Sequence, residues 1–122
     1  DRCVLAHNRR NPKKMFSTLA GFVEPGESLE EAVAREVEEE VGISVGNVRY
    51  HSSQPWPFPG NIMLGFHAEA VSTDIVVQES ELVEARWFEK EKILNAAKYG
   101  LQLSRPESIS RRLIDDWMHD RV

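Results

Sequence analysis

The sequence predicts a mixed α/β sandwich. Three observations predict it: strand-like apolar runs on either side of a capped helix in the first third, further strand-like runs in the middle, and an amphipathic helix near the C-terminus. No repeat and no internal linker interrupts them, and the order is not a regular βαβ alternation. The first strand is RCVLAH at 2–7, followed by the polar turn NRRNPKK. MFSTLAGFVEPGES then passes from a short apolar run into a Gly/Pro loop. Ser28 is the predicted N-cap, and Glu31 completes a capping-box pattern. A helix follows from Leu29 to Val41, stopped by Gly42. Strands are expected at Val45–Ser53 and Ile62–Val71, with a further strand pair between Ile75–Val77 and Ala85–Glu89. EKEKILNAAKYG is read as a short helix, and the last helix begins near Ser108.

Bulk properties limit the function. A chain of 122 residues, 41% apolar and 29% charged, is one domain, spanning 1–122. A formal charge of −5 argues against a generic basic nucleic-acid surface. Cys3 is the single cysteine, so neither an internal disulfide nor a cysteine zinc cluster can form within this chain. No apolar run approaches the roughly 18 residues of a membrane span, and no signal-peptide pattern is present. The expected setting is therefore cytoplasmic, or organellar in a eukaryote. The chain enters a strand directly from Asp1, which suggests the C-terminal part of a longer protein.

The predicted first helix carries the strongest chemical signal. At about 100° per residue, Leu29, Val33 and Val37 form an apolar stripe. Glu36 and Glu40 fall on its edge, one turn apart, with Glu39 beside them, whereas Glu31, Glu38 and Arg35 point elsewhere. Carboxylates grouped beside a core face repel one another and lose hydration. A divalent cation among them would offset that, and an all-carboxylate set favours Mg²⁺ or Mn²⁺. A solvated acidic face is the competing reading of the same acids. In the loop before the helix, Glu27 is spaced to pair with Arg35 and brace it. A plain turn and cap would use the same glycines.

The second signal is SSQPWPFPGNIM, residues 52–63. Pro55, Pro57 and Pro59 remove backbone donors and preset φ, so the run cannot be a central strand. In an extended run Gln54, Trp56 and Phe58 project to one side. Flat rings can stack on a base, and the Gln54 amide can hydrogen-bond a base edge or ribose. Core aromatics on an edge strand, or a polyproline ligand for another domain, are the rival readings.

GFVEPGESLEEAVAREVEEEVGI, residues 21–43, resembles the Nudix box through Gly21, Glu27, Arg35, Glu36, Val37, Glu39, Glu40, Gly42 and Ile43. SQPWPFP, together with the later segment ESELVEARWF, resembles the NADH pyrophosphatase branch of the Nudix hydrolases. The resemblance implies a Nudix α-β-α sandwich that uses Mg²⁺ or Mn²⁺ to hydrolyse NADH or NAD⁺ to NMNH or NMN plus AMP. It also implies the same cut on NAD-capped RNA, ranked second here because of the acidic charge. Carried over, Glu36 and Glu40 are metal ligands, and Glu39 is a third ligand or positions water. The Ala20 carbonyl and Glu81 are further metal ligands. Phe22, Gln54, Pro55, Trp56, Pro57, Phe58, Pro59, Gly60 and Asn61 contact substrate, as does the backbone near Ser110. Phe22 reads equally as core. Gly60 and Asn61 stand where relatives vary. Arg111 and Arg112 could meet phosphate, although Arg112 could also pair with Asp115 or Asp116 on its own helix. The branch carries a cysteine zinc ribbon before this domain; this chain lacks those cysteines, so no zinc is expected on it. Relatives pair as homodimers, and no membrane partner is implied. An ADP-ribose pyrophosphatase and a non-catalytic nucleotide-binding domain are the alternatives; the intact set of box acids opposes the latter.

Overall fold

The computed structural model describes residues 1–56 and 60–121. Its elements run β1 (Arg2–Asn8), α1 (Leu29–Val41), β2 (Val45–Trp56), β3 (Asn61–Ala70), β4 (Leu82–Glu89), α2 (Lys90–Leu94) and α3 (Ile109–Met118). Among the described residues no helix is long and apolar enough to cross a membrane.

β1 pairs antiparallel with β4, and β2 pairs antiparallel with β3. Mixed character enters through single bridges beside β1: Ala6 meets Ser17 antiparallel, and Phe16 meets Leu103 in parallel. The β1–β4 pair is the middle layer. Alternation places Leu5 opposite Arg86 and Cys3 opposite Phe88 on one face, and Val4 opposite Trp87 and Ala6 opposite Ala85 on the other. The first face joins Phe16, Ile93 and Ile114 in one buried cluster under α2 and α3. The second face joins Val41, Ile43 and Leu82, with Val37 packed alongside, under the end of α1. Two apolar clusters on opposite faces of one sheet make the sandwich.

α1 forms where its caps dictate. The Glu31 backbone N–H donates to Ser28 Oγ at 3.1 Å, and the Ser28 N–H donates to Glu31 Oε1 at 2.8 Å. Gly42 closes the helix at φ 72°, its N–H donating to the Glu38 carbonyl. The apolar stripe is shifted from the expected one. Leu29 is exposed, while Ala32 and Val41 are buried.

Two expectations are corrected. Residues 75–77 do not pair with 85–89; β4 takes β1 instead. The helix C-terminus leaves carbonyls without intrahelical donors, and the Val76 and Gln78 N–H groups donate to Val41 O and Glu40 O, both at 2.8 Å. That segment therefore caps α1 and does not join a sheet. β2 also continues past Ser53 through Pro55 to Trp56. With β3 as its paired neighbour on one side, β2 is an edge strand, where a proline is tolerated.

Candidate active site

The acids of α1 separate by environment as the helical period dictates. Glu31 and Glu38 are exposed. Glu36 is half-buried, with Arg35 donating from Nη1 to its Oε1 at 2.9 Å. Glu40 is only 5% exposed, and its Oε1 has no hydrogen-bond partner. Desolvation raises the Glu40 pKa to about 8, helped by Glu36 and then by Glu81 and Glu39 nearby. Glu36, Glu39, Glu40 and Glu81 thus share one acidic neighbourhood.

Arg35 organises it. Its Nε and Nη2 donate to the two Glu27 carboxylate oxygens at 2.6 and 3.0 Å, which is the predicted brace. The same guanidinium also donates to Glu39 at 3.1 Å and to the Phe22 carbonyl at 2.9 Å. Hydrogen bonding from Arg35 holds the Glu27 carboxyl below its ordinary range. Sequence spacing foresaw the Glu27 partner and missed the others, so Arg35 does not simply point away from the acids.

Gly21 lies against this group. A Cβ added there would overlap the Glu36 carboxyl, so the chain from Ala20 to Gly21 passes at a distance only glycine permits. The Ala20–Gly21 peptide therefore lies beside Glu36. Phe22 is 71% exposed, which removes the core reading for its ring. Among the described residues, no three His, Cys, Asp or Glu side chains stand in metal-ligand arrangement. Arg35, bonded to both Glu36 and Glu39, holds those two carboxylates on itself. The donor set still fits a divalent cation, because it is carboxylate throughout and includes a buried oxygen with no protein partner.

The Gln54–Trp56 end of β2 is built differently. The Gln54 amide is taken up by the start of α3: its Nε2 donates to Glu107 O and its Oε1 accepts from the Ile109 N–H, both at 2.9 Å. It is therefore a cap for α3 in this structure, with one N–H and one carbonyl lone pair engaged. The Trp56 ring is 50% exposed, opposite Asn61 across the hairpin, and the Gly60 N–H donates to the Trp56 carbonyl. Pro57, Phe58 and Pro59 lie outside the described residues. Ser110 Oγ accepts from the Thr18 N–H and meets Ser104 Oγ, both at 3.0 Å. Through Thr18, α3 fixes the segment that continues to Ala20 and Gly21. Arg111 is held by the Ser104 carbonyl and Asp115, and exposed Arg112 lies 3.9 Å from Asp116.

A recess of about 370 Å³ lies between β2 and α3, lined among others by Gln54, Pro55, Glu107, Arg112 and Arg121. It belongs to the β2–α3 seam and not to the acids of α1. Under that seam His51 Nε2 meets Asp116 Oδ2 at 2.6 Å and His51 Nδ1 meets Ser52 Oγ at 2.6 Å. His67 stacks edge-on against His51 and bonds the Leu113 carbonyl. Sequence reading missed this polar tie, since its partners are far apart in the chain and follow no local period.

Comparison with known proteins follows the same line. Residues 1–109 match the NUDIX domain. The chain is 47% identical over 121 residues to an NAD-capped RNA hydrolase NUDT12 of Macaca fascicularis, covering 96% of this chain and 26% of that protein. It is 48% identical over 121 residues to an NAD-capped RNA hydrolase NudC of Pseudomonas aeruginosa, covering 99% of this chain and 41% of that protein. The chain thus spans well under half the length of these relatives. The NUDIX domain of Shewanella oneidensis NrtR, solved with ADP ribose, superposes with TM-score 0.76 at 14% identity, over 99% of this chain and 78% of that one. At that identity the likeness speaks to the fold.

Proposed function

Because the chain belongs to the NUDIX family, we propose that it is a divalent-metal-dependent pyrophosphatase that cuts NADH or NAD⁺ into NMNH or NMN plus AMP. The same cut on a longer substrate removes an NAD cap from RNA, and the names of the relatives at 47% and 48% identity support that extension. One observation carries the reading: a buried carboxylate oxygen of Glu40, without a protein partner, among acids braced by Arg35.

Nudix hydrolases generally use divalent metals, and here Glu36, Glu39, Glu40, Glu81 and the Ala20 carbonyl would hold Mg²⁺ or Mn²⁺. When bound, such a cation neutralises the pyrophosphate and lowers the pKa of water. The chain's own residues do the positioning. Glu27 and Arg35 fix the rotamers of Glu36 and Glu39, and the Ala20–Gly21 peptide is held by the α3 contact at Thr18. Burial and the neighbouring acids favour the protonated Glu40 carboxyl near neutral pH, and a cation held beside it would favour the ionised form. Trp56 and Phe22 present exposed rings to the flat ends of a dinucleotide. Pro55, Pro57, Phe58, Pro59, Gly60 and Asn61 belong to the same substrate segment, and Gln54 and Ser110 serve it by anchoring α3. Cys3 is the single thiol, so the chain itself cannot assemble a cysteine zinc cluster. A homodimer of a longer protein completes the reading. It is supported by Tyr50, Trp56 and Ile62, all exposed on the β2–β3 hairpin.

The deciding experiment is a Mn²⁺-supplemented product assay with NADH, NAD⁺, ADP-ribose, diadenosine polyphosphates and NAD-capped RNA. NMNH or NMN with AMP as the fastest products supports the reading. Faster cleavage of ADP-ribose overturns the substrate, and no metal-dependent cleavage of any substrate overturns the activity.

A further inference from the structure

A second recess, of about 240 Å³, opens on the opposite face of the β1–β4 sheet from Val41 and Glu40. Its lining includes Lys14, Arg86 and Lys92 and contains no carboxylate, in a chain whose formal charge is −5. We propose that this recess is an anion site that takes a phosphate group, separate from the acids of α1.

Its construction is specific. Phe16 and Phe88 pack edge-to-face, with ring centroids 5.0 Å apart, and form a buried floor. The Arg86 guanidinium lies over both rings, 5.0 Å from the Phe16 centroid and 5.5 Å from that of Phe88. Cation–π contact on two rings fixes the planar fork, which suits bidentate contact with phosphate oxygens. From outside the lining, Glu84 contacts both Arg86 Nε, at 2.8 Å, and Lys14 Nζ, at 3.5 Å. One carboxylate thus serves two cations and marks where an anion is already tolerated. Lys92 sits over the Tyr99 ring at 5.6 Å and has no ion pair among the described residues. Lys14, Arg86 and Lys92 leave a net positive charge facing the recess against Glu84 and against Glu91, which accepts from the Tyr99 hydroxyl at 2.9 Å. Its polar wall is finished by Gln102. The volume lies below the roughly 300 Å³ at which small-molecule pockets begin, which suits a phosphate or diphosphate group and not a whole dinucleotide. Free phosphate and the terminal phosphate of a mononucleotide share the chemistry the recess would recognise.

The test uses the 122-residue chain in EDTA-containing buffer, where the metal-free acids of α1 repel anions. Inorganic pyrophosphate and AMP are titrated separately by amide NMR. The expected result is saturable shifts at Gly100, Leu101 and Gln102, with those of α1 unmoved. Lys92→Gln should weaken binding by about threefold and Arg86→Gln by about tenfold, while Glu84→Gln should tighten it. Lys92 is exposed, so its variant keeps the test valid if Arg86→Gln fails to fold. Response to pyrophosphate alone assigns free polyphosphate, and an equal response to AMP assigns the nucleotide phosphate. Shifts confined to α1, no saturable shift with either anion, or affinities unchanged in both Lys92→Gln and Glu84→Gln would overturn the site.

Discussion

The two ends of the proposed site are built on opposite terms. At α1, Glu40 keeps a buried oxygen that no protein group satisfies, while its neighbours are clamped by Arg35. At the end of β2, both polar ends of the Gln54 amide are taken up by α3, and the aromatic ring of Trp56 is left half-exposed. An unsatisfied buried oxygen is tolerated where a non-protein partner is expected. An amide engaged at both ends beside an exposed ring is a scaffold that presents the ring. The difference teaches that the helix awaits a ligand atom, whereas the strand end displays a surface.

Breaking the helix end should have the largest effect. Glu40→Gln is expected to lower kcat by about 10³-fold with the fold intact, read by steady-state assay beside circular dichroism. Near-normal turnover would remove Glu40 from the chemistry. The brace comes next. Glu27→Gln releases Arg35 from its bidentate partner and should weaken metal affinity about tenfold, with kcat recovering at saturating Mn²⁺. A loss that excess metal does not restore would make the pair part of the reaction and not its support.

At the strand end the expected changes are smaller and of another kind. Trp56→Ala should raise KM for NADH about tenfold and leave a small ADP-linked substrate nearly unchanged. Equal changes for both would return Trp56 to packing. Gln54→Ala leaves the Ile109 N–H and the Glu107 carbonyl without their partner. It should lower stability by about 1–2 kcal/mol in a urea melt. An unchanged midpoint would mean that water replaces the amide.

A last effect is one of pH and needs no substrate. Burial and the neighbouring acids push the folded Glu40 carboxyl from an ordinary 4.5 up to about 8. Between those values the folded chain holds a proton that the unfolded chain has released, so stability falls as pH rises. The contribution is complete below the ordinary value and is lost as pH passes the folded one. Glu40→Gln should flatten that slope in thermal melts at pH 5 and pH 8.5; an equal slope in both proteins would assign it to other groups.

How much could be read in the sequence follows from the same contrast. Much that is local to residues 21–43 was legible: the Ser28 and Glu31 capping box, the Gly42 stop, the Glu27–Arg35 brace and the inward position of Glu40, though not the exact apolar stripe of the helix. Each depends on helical period or on a partner within one loop. Long-range uses of the chain were not legible. The capping of α1 by Val76 and Gln78 looks in sequence like a short strand, because β-branched residues signal extended backbone without naming their partner. The capping of α3 by Gln54 was not legible either, since its partners lie on the far side of the hairpin and of β4 in sequence. The His51–Asp116 tie was hidden for the same reason. Extra acceptors on Arg35 were missed because a guanidinium has five donors, and spacing names only one partner at a time.

The central claim is that the acids around Glu40 form a divalent-cation site, and Mn²⁺ binding followed by electron paramagnetic resonance tests it most directly. The account predicts saturable binding by the wild-type chain, weakened at least tenfold in Glu40→Gln and unaffected by Trp56→Ala. Equal Mn²⁺ affinity in the wild-type and Glu40→Gln proteins would contradict it.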